Sequence, residues 1–208
     1  MTRKEPAAMA EQIQKITLEA RSPLTDLAAR MANASSDQVK LTEVPFRTQL
    51  TLRGNADEKA FADGVKRALG VALPIKANTA NSKGEIDILW MGPDEWLILA
   101  PEGEATRLMS TLKVMLSDQF IALVDISDNR TMLTLSGSAS WDVLNKGAHL
   151  DFHPRSWKKG MIAQSTYGRA QVIFWQSGNE PEFRLLVRNS FAEYLATFLM
   201  DAMAEFAN

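Results

Sequence analysis

The chain has 208 residues, 46% hydrophobic and 23% charged, with a formal net charge of -2 from 23 basic and 25 acidic side chains. A chain of that length buries roughly 70% of its unfolded surface without metal or disulfide staples, and its near-balanced charge gives no electrostatic case for nucleic acid or an anionic membrane. Cysteine is absent, which excludes disulfides, thiolate catalysis and cysteine-ligated zinc or iron–sulfur sites.

The opening "MTRKEPAAMAEQIQK" turns polar where a secretory signal needs an apolar core. Apolar runs such as Trp96 to Ala100 are far too short to cross a bilayer, so the expected location is the cytoplasm. Residues 1–40 read as a helical arm. Met9, Ile13, Ile16 and Ala20 recur on one helical stripe. "SPLTDLAARMA" restarts a helix, with Ser22 as N-cap, Pro23 in the first turn, and Leu24, Leu27, Ala28 and Met31 as its stripe. "NASSD" at 33–37 is a polar linker. Such an arm either folds back on its own core or reaches a partner.

From Phe46 the period changes. "FRTQLTLRG" alternates Phe46, Thr48, Leu50 and Leu52 and reads as a strand. "ADEKAFADGVKRALG" places Phe61, Val65, Ala68 and Leu69 on one helical face and stops at Gly70. "IDILWMGPDEWLILAP" is a hairpin turning at Gly92-Pro93-Asp94-Glu95. Alternation puts Ile86, Ile88 and Trp90 on one face of its first strand, and Trp96, Ile98 and Ala100 on one face of its second. "EATRLMSTLKVMLSD" is a helix with Leu108, Leu112 and Met115 inward, and "FIALVDIS" is a strand. The order β-α-β-β-α-β is that of ferredoxin-like folds.

The second half repeats the theme. "RTMLTLSG" is a strand, and "SASWDVLNKG" a short helix closed by Gly147. "MIAQSTYG" and "AQVIFWQS" form a hairpin about Gly168-Arg169. "EFRLLVRNS" is a strand, and "FAEYLATFLMDAMAEF" a helix with Phe191, Leu195, Phe198 and Ala202 on one face. "QLTLRG" and "MLTLSG", and then Trp90 and Trp175, recur at nearly one offset, which argues for internal duplication. The expected fold is α+β: a helical arm (1–40), a first α/β module (41–128) and a second (129–208) in one compact domain. The modules join through "VDISDNRTML", where Asp128 and Asn129 alone separate the strands.

No G-x-G-x-x-G, Walker loop or G-x-S-x-G occurs. His149, Asp151 and His153 in "HLDFHP" would share a face of an extended segment, as three metal ligands would require; Pro154 argues against a helix at His153. The bland alternative, a structural or partner-contact role, is preferred. Asp94 and Glu95 sit where solvated acids usually lie, and general-acid work needs burial. Asp125, in an apolar strand, needs a partner, for which Arg130 is the candidate, unless it faces solvent. "HPRSWKKG" interleaves aromatic and basic residues, and His153, Arg155 and Trp157 are its candidate partner contacts. No catalytic, cofactor-binding or metal-ligating residue is assigned.

The stretches "RSPL", "LWMGPDEWLILAP", "VDISDNRTMLTLSG", "LNKGAHLDFHPRSW" and "FRLLVRNSFAEYL" occur in one order and resemble the γ subunit family of heterotetrameric sarcosine oxidase. "LDFHPRSW" followed by "VRNSFAEYL" is the most specific part. The resemblance implies a fold similar to the aminomethyltransferase folate-binding domain. It also implies membership of a flavoenzyme complex that oxidatively demethylates sarcosine to glycine and hydrogen peroxide. The one-carbon unit then passes to tetrahydrofolate as 5,10-methylenetetrahydrofolate, or leaves as formaldehyde. FAD, FMN and NAD are implied for the α and β subunits and zinc for the δ subunit, with no catalytic residue here. Folate-binding relatives of the iron–sulfur assembly type carry Lys-Gly-Cys-Tyr where this chain has Lys146-Gly147-Ala148-His149, which argues against folate binding. The alternative function is a free-standing folate-binding protein of the aminomethyltransferase class.

Overall fold

The computed structural model describes residues 20–207. The stripe of Met9, Ile13 and Ile16 lies outside them. The described elements run β1 (Lys40–Val44), β2 (Thr48–Arg53), β3 (Ala80–Lys83), β4 (Ile86–Gly92), β5 (Glu95–Ala100), β6 (Ala122–Asp125), β7 (Arg130–Ser136), β8 (Ile162–Tyr167), β9 (Ala170–Gln176) and β10 (Glu182–Arg188). The helices are α1 (Ala28–Ala34), α2 (Lys59–Leu69), α3 (Ala105–Met115), α4 (Ser140–Gly147) and α5 (Asn189–Met203). None of the described helices is long and apolar enough to cross a membrane.

Two five-stranded antiparallel sheets form, ordered β1-β7-β10-β9-β8 and β3-β4-β5-β2-β6. Their inner faces meet over Leu89, Leu97 and Leu99 from one sheet and Met132, Ile173, Trp175 and Leu186 from the other. Helices α2 and α3 cover the outer face of the first-half sheet through Phe61, Val65, Leu108 and Leu112. Helices α1, α4 and α5 cover the other sheet through Met31, Val143, Leu144, Leu195 and Leu199. The result is a mixed α/β architecture of four layers, helix-sheet-sheet-helix. Strong alternation produces it: successive strand residues supply the helix-facing core and the central core in turn.

Strand β1 precedes β2 in the chain yet pairs with β7, Leu41 opposite Leu135 and Glu43 opposite Leu133. In the other sheet β6 pairs with β2, Leu123 opposite Leu52 and Asp125 opposite Leu50. Residues 40–44 therefore lie in the sheet of the second half. The arm's described part folds back on its own core, with Leu24, Leu27 and Met31 buried and Ala28 exposed.

Several local expectations are corrected. Ser22 does not cap a helix; its hydroxyl donates to Glu43 at 2.5 Å, and the helical turn begins at Thr25. Phe46 has φ 55° and ends the alternation, so β2 starts at Thr48. Met115 faces outward and Leu116 fills its place. On α5 the buried residues are Ala192, Leu195, Ala196, Leu199, Ala202 and Met203, while Phe191 is exposed. Residues 126–129, not two residues alone, separate β6 from β7. Strand β3, "ANSK", carries no apolar alternation and was not expected.

Other expectations hold in detail. Gly70 ends α2 with φ 71°, the left-handed geometry of a C-terminal glycine. Gly168 has φ 55° in the turn between β8 and β9, where Tyr167 pairs with Ala170. Trp96 is fully buried against Phe61, ring centroids 5.5 Å apart, and its indole N–H donates to the Pro74 carbonyl at 2.8 Å. Trp90 and Trp175, however, are not counterparts. Ile88 and Phe174 stand opposite Ile98 and Leu185 and face the helices. Trp90 shares that outer face, whereas Trp175, next to Phe174, points into the central core.

Candidate functional site

Between α4 and β8 the chain crosses a loop anchored by two aromatics. Phe152 and Trp157 stack with centroids 4.6 Å apart, and Phe152 also meets Phe174 and Phe183. The Asn145 side-chain oxygen accepts from the Phe152 N–H at 3.1 Å. Trp157 is only 7% exposed, so its place among the candidate partner contacts is corrected: it is a core residue that holds the loop down. His153 and Arg155 are exposed.

Asp151 organises the outward part of this loop. Its carboxylate accepts from the His153 N–H at 2.9 Å, the Ser156 hydroxyl at 3.0 Å and the Arg155 guanidinium at 3.5 Å. These donors, the His153 N–H foremost, hold the Asp151 carboxyl below its ordinary pKa. The His153 Nδ1 in turn accepts from the Arg155 N–H at 3.2 Å. Asp151 and His153 thus close a turn rather than face a common ion. Among the described residues no group of three His, Asp or Glu side chains is placed to hold a metal.

A charged cluster absent from the expectations lies between the sheets. Asp87, on β4, has its carboxylate 3.8 Å from Arg47 and 3.4 Å from Arg184. Arg47 also donates to the Glu85 carbonyl at 2.8 Å, while its Nε is buried without a hydrogen-bond partner among the described residues. Burial pulls the Arg47 pKa down, and Asp87 opposes the shift. The Arg184 guanidinium lies 4.8 Å from the Trp175 ring centre. The available signal was Asp87 itself, an acid inside the apolar strand "IDILW"; its partners come from residues 40 and 97 positions away in sequence.

The acids singled out earlier resolve differently. Asp125 faces solvent and accepts from the Ser127 hydroxyl at 2.5 Å and the Ser127 N–H at 3.0 Å, so Arg130 is not its partner. Asp94 pairs with Arg53 at 2.9 Å on the surface. Beside Asp125, a cavity of about 470 Å³ opens where the two halves meet, lined by Arg21, Ser22, Phe46, Thr48 and Arg130 among others. Among the described residues its wall contains neither histidine nor lysine and offers hydrogen bonds and charge.

Residues 53–205 match the family model for the sarcosine oxidase gamma subunit family. The chain is 37% identical over 190 residues to sarcosine oxidase subunit gamma of Corynebacterium sp. (strain P-1), covering 90% of this chain and 92% of that one. A chain of heterotetrameric sarcosine oxidase from Corynebacterium sp. U-96, solved in complex with pyrrole 2-carboxylate, superposes with TM-score 0.82 at 34% identity. That match covers 91% of this chain and 97% of the solved one. The fold extends to glycine cleavage system aminomethyltransferase T from Bartonella henselae, with TM-score 0.56 at 14% identity, covering 84% of this chain and 48% of that one.

Proposed function

The chain belongs to the sarcosine oxidase gamma subunit family, and on that premise we propose that it is the non-catalytic structural subunit of a heterotetrameric sarcosine oxidase. The complex oxidatively demethylates sarcosine to glycine, with hydrogen peroxide and 5,10-methylenetetrahydrofolate or formaldehyde as the other products. Its partners are the α, β and δ subunits, which carry FAD, FMN, NAD, tetrahydrofolate and zinc, and it works in the cytoplasm. The observation that carries this reading is the 97% coverage of a chain from a solved heterotetrameric sarcosine oxidase.

Folate does not fit the 146–149 stretch. Lys146 donates to the Ala202 carbonyl at 2.6 Å and pairs with Glu205, so its ammonium ties down the C-terminal helix. Gly147 is covered by the Tyr167 ring. The 41–128 and 129–208 halves are two ferredoxin-like modules related by duplication, with β1 exchanged into the second and the 1–40 arm preceding both. The equivalent strand orders support this, because β1 stands to β7 as β6 stands to β2. His153 and Arg155 contact a partner; their exposure on a loop pinned by buried aromatics supports that role.

The test is isolation of the tagged full chain from its native host. Three co-purifying chains with flavin absorbance are expected. A lone chain that binds tetrahydrofolate at micromolar concentration would favour the free-standing folate-binding alternative.

A further inference from the structure

Arg130 and Arg188 stand directly opposite each other as the last register pair of β7 and β10. Their even-numbered strand neighbours, Met132 and Leu186, point into the central core, so both arginines share the inner face of that sheet. Like charges directly opposite on neighbouring strands repel. Neither arginine forms an ion pair with a carboxylate among the described residues. Arg130 is half-buried, and burial first, then Arg188, lowers its pKa; Glu95 acts on it only through space.

Arg184, on the same inner face, meets Arg47 from the connection between β1 and β2, and there the chain supplies Asp87 to both. At Arg130 and Arg188 no carboxylate among the described residues lies within ion-pair distance, and Glu95 opposes the shift of Arg130 only from farther away. In its place is a cavity of about 230 Å³, lined by both arginines, by the polar side chains of Gln164, Thr166 and Gln171, and by Ile173 and Leu186. This volume is below the range of about 300–1,000 Å³ usual for small-molecule pockets, and it suits one inserted side chain. Guanidinium forks bind carboxylates in bidentate geometry.

We propose that the Arg130–Arg188 cleft is a docking site for an acidic side chain, Asp or Glu, of a partner subunit in the assembled complex. This rests on the proposed membership of a heteromeric oxidase. Inserting a carboxylate there relieves the arginine repulsion and fixes the orientation of this chain against its neighbour.

The test uses the co-expressed complex with wild-type chain, R188Q and R130Q/R188Q, read by native mass spectrometry across salt concentrations. The expected result is at least tenfold weaker assembly for the double variant and an intermediate loss for R188Q, with a shallower salt dependence. Thermal stability of the isolated full chain should be unchanged or higher, because a repulsion has been removed. Wild-type affinity in R130Q/R188Q would overturn the docking site while leaving complex membership intact. Failure of the wild-type chain to assemble would overturn both. Acetate and glutarate are titrated into the isolated full chain as a second arm. Saturable binding that the double variant loses, with assembly unaffected, would assign the cleft to a free anion and overturn the proposal. A chain lacking residues 1–19 is the last control: if its removal alone abolishes the salt dependence, the carboxylate belongs to this chain.

Discussion

The Tyr167 ring packs against the backbone of Gly147, so close that a Cβ built at 147 would stand 2.5 Å from the nearest ring carbons. Tyr167 is fully buried and its hydroxyl donates to the Val143 carbonyl at 2.8 Å, so the ring cannot swing aside without breaking that bond. Gly147 is not among the glycines with positive φ. Its role is the close approach of α4 to β8, and the helix-capping role expected of it is corrected. Gly147→Ala should therefore destabilise the chain by about 1–3 kcal/mol through overpacking. Urea unfolding of the isolated chain measures this, and a wild-type midpoint would contradict it.

Tyr167 also sets an alkaline limit. Its phenol is pushed well above the usual tyrosine range by burial, with Asp201 adding to the shift. In the unfolded chain a tyrosine titrates near pH 10. Below that pH the contribution of the neutral buried phenol is fully present. As pH rises from about 10 toward the raised folded value, the unfolded state releases the proton and the folded state retains it, so stability falls. Tyr167→Phe should lose about 1 kcal/mol at neutral pH, from the missing hydrogen bond. Its stability should then decline less steeply than wild type above pH about 10. Equal slopes in urea titrations across that window would refute the assignment.

Asp87 holds two arginines from different parts of the chain across the sheet interface. Asp87→Asn keeps the shape but leaves Arg47 and Arg184 without their shared counter-charge in a largely buried setting. The expected loss is about 2–4 kcal/mol, measurable by thermal or urea unfolding. A loss near zero would mean that solvent already screens the cluster.

The loop at 148–160 separates packing from recognition. Trp157→Ala removes a ring stacked on Phe152 and should cost about 3–4 kcal/mol. His153→Ala and Arg155→Ala, both at exposed sites, should change stability by less than about 0.5 kcal/mol. Their effect is expected in assembly of the complex instead. Unfolding curves beside co-purification yields distinguish the two classes.

Local periodicity made the strands and the α2 face legible, because Phe61, Val65 and Leu69 recur at helical spacing and are all buried. It misled where apolar residues crowd every face. On α5, with Phe191, Tyr194 and Phe198 all large, the buried stripe runs instead through Ala192, Leu195, Ala196 and Leu199. The match of Trp90 to Trp175 failed by a single residue, and in a strand a one-residue slip reverses the face. Pairing of β1 with β7 was invisible because the two are joined by neither a turn nor a short loop. The Arg47–Asp87–Arg184 cluster was missed for the same reason: three distant segments meet only when the sheets stack. The metal reading of His149, Asp151 and His153 rested on side chains sharing a face, whereas the backbone turns under Asp151.

Membership of this chain, as a structural subunit, in a heterotetrameric sarcosine oxidase is open to a direct test by omission. The proposed partner chains are co-expressed with and without it, and the purified product is assayed for mass, flavin content and sarcosine-dependent peroxide release. A flavin-containing four-chain complex that oxidises sarcosine is expected when it is present, and incomplete assembly with lost turnover when it is omitted. A stable three-chain complex with undiminished flavin content and turnover would contradict it.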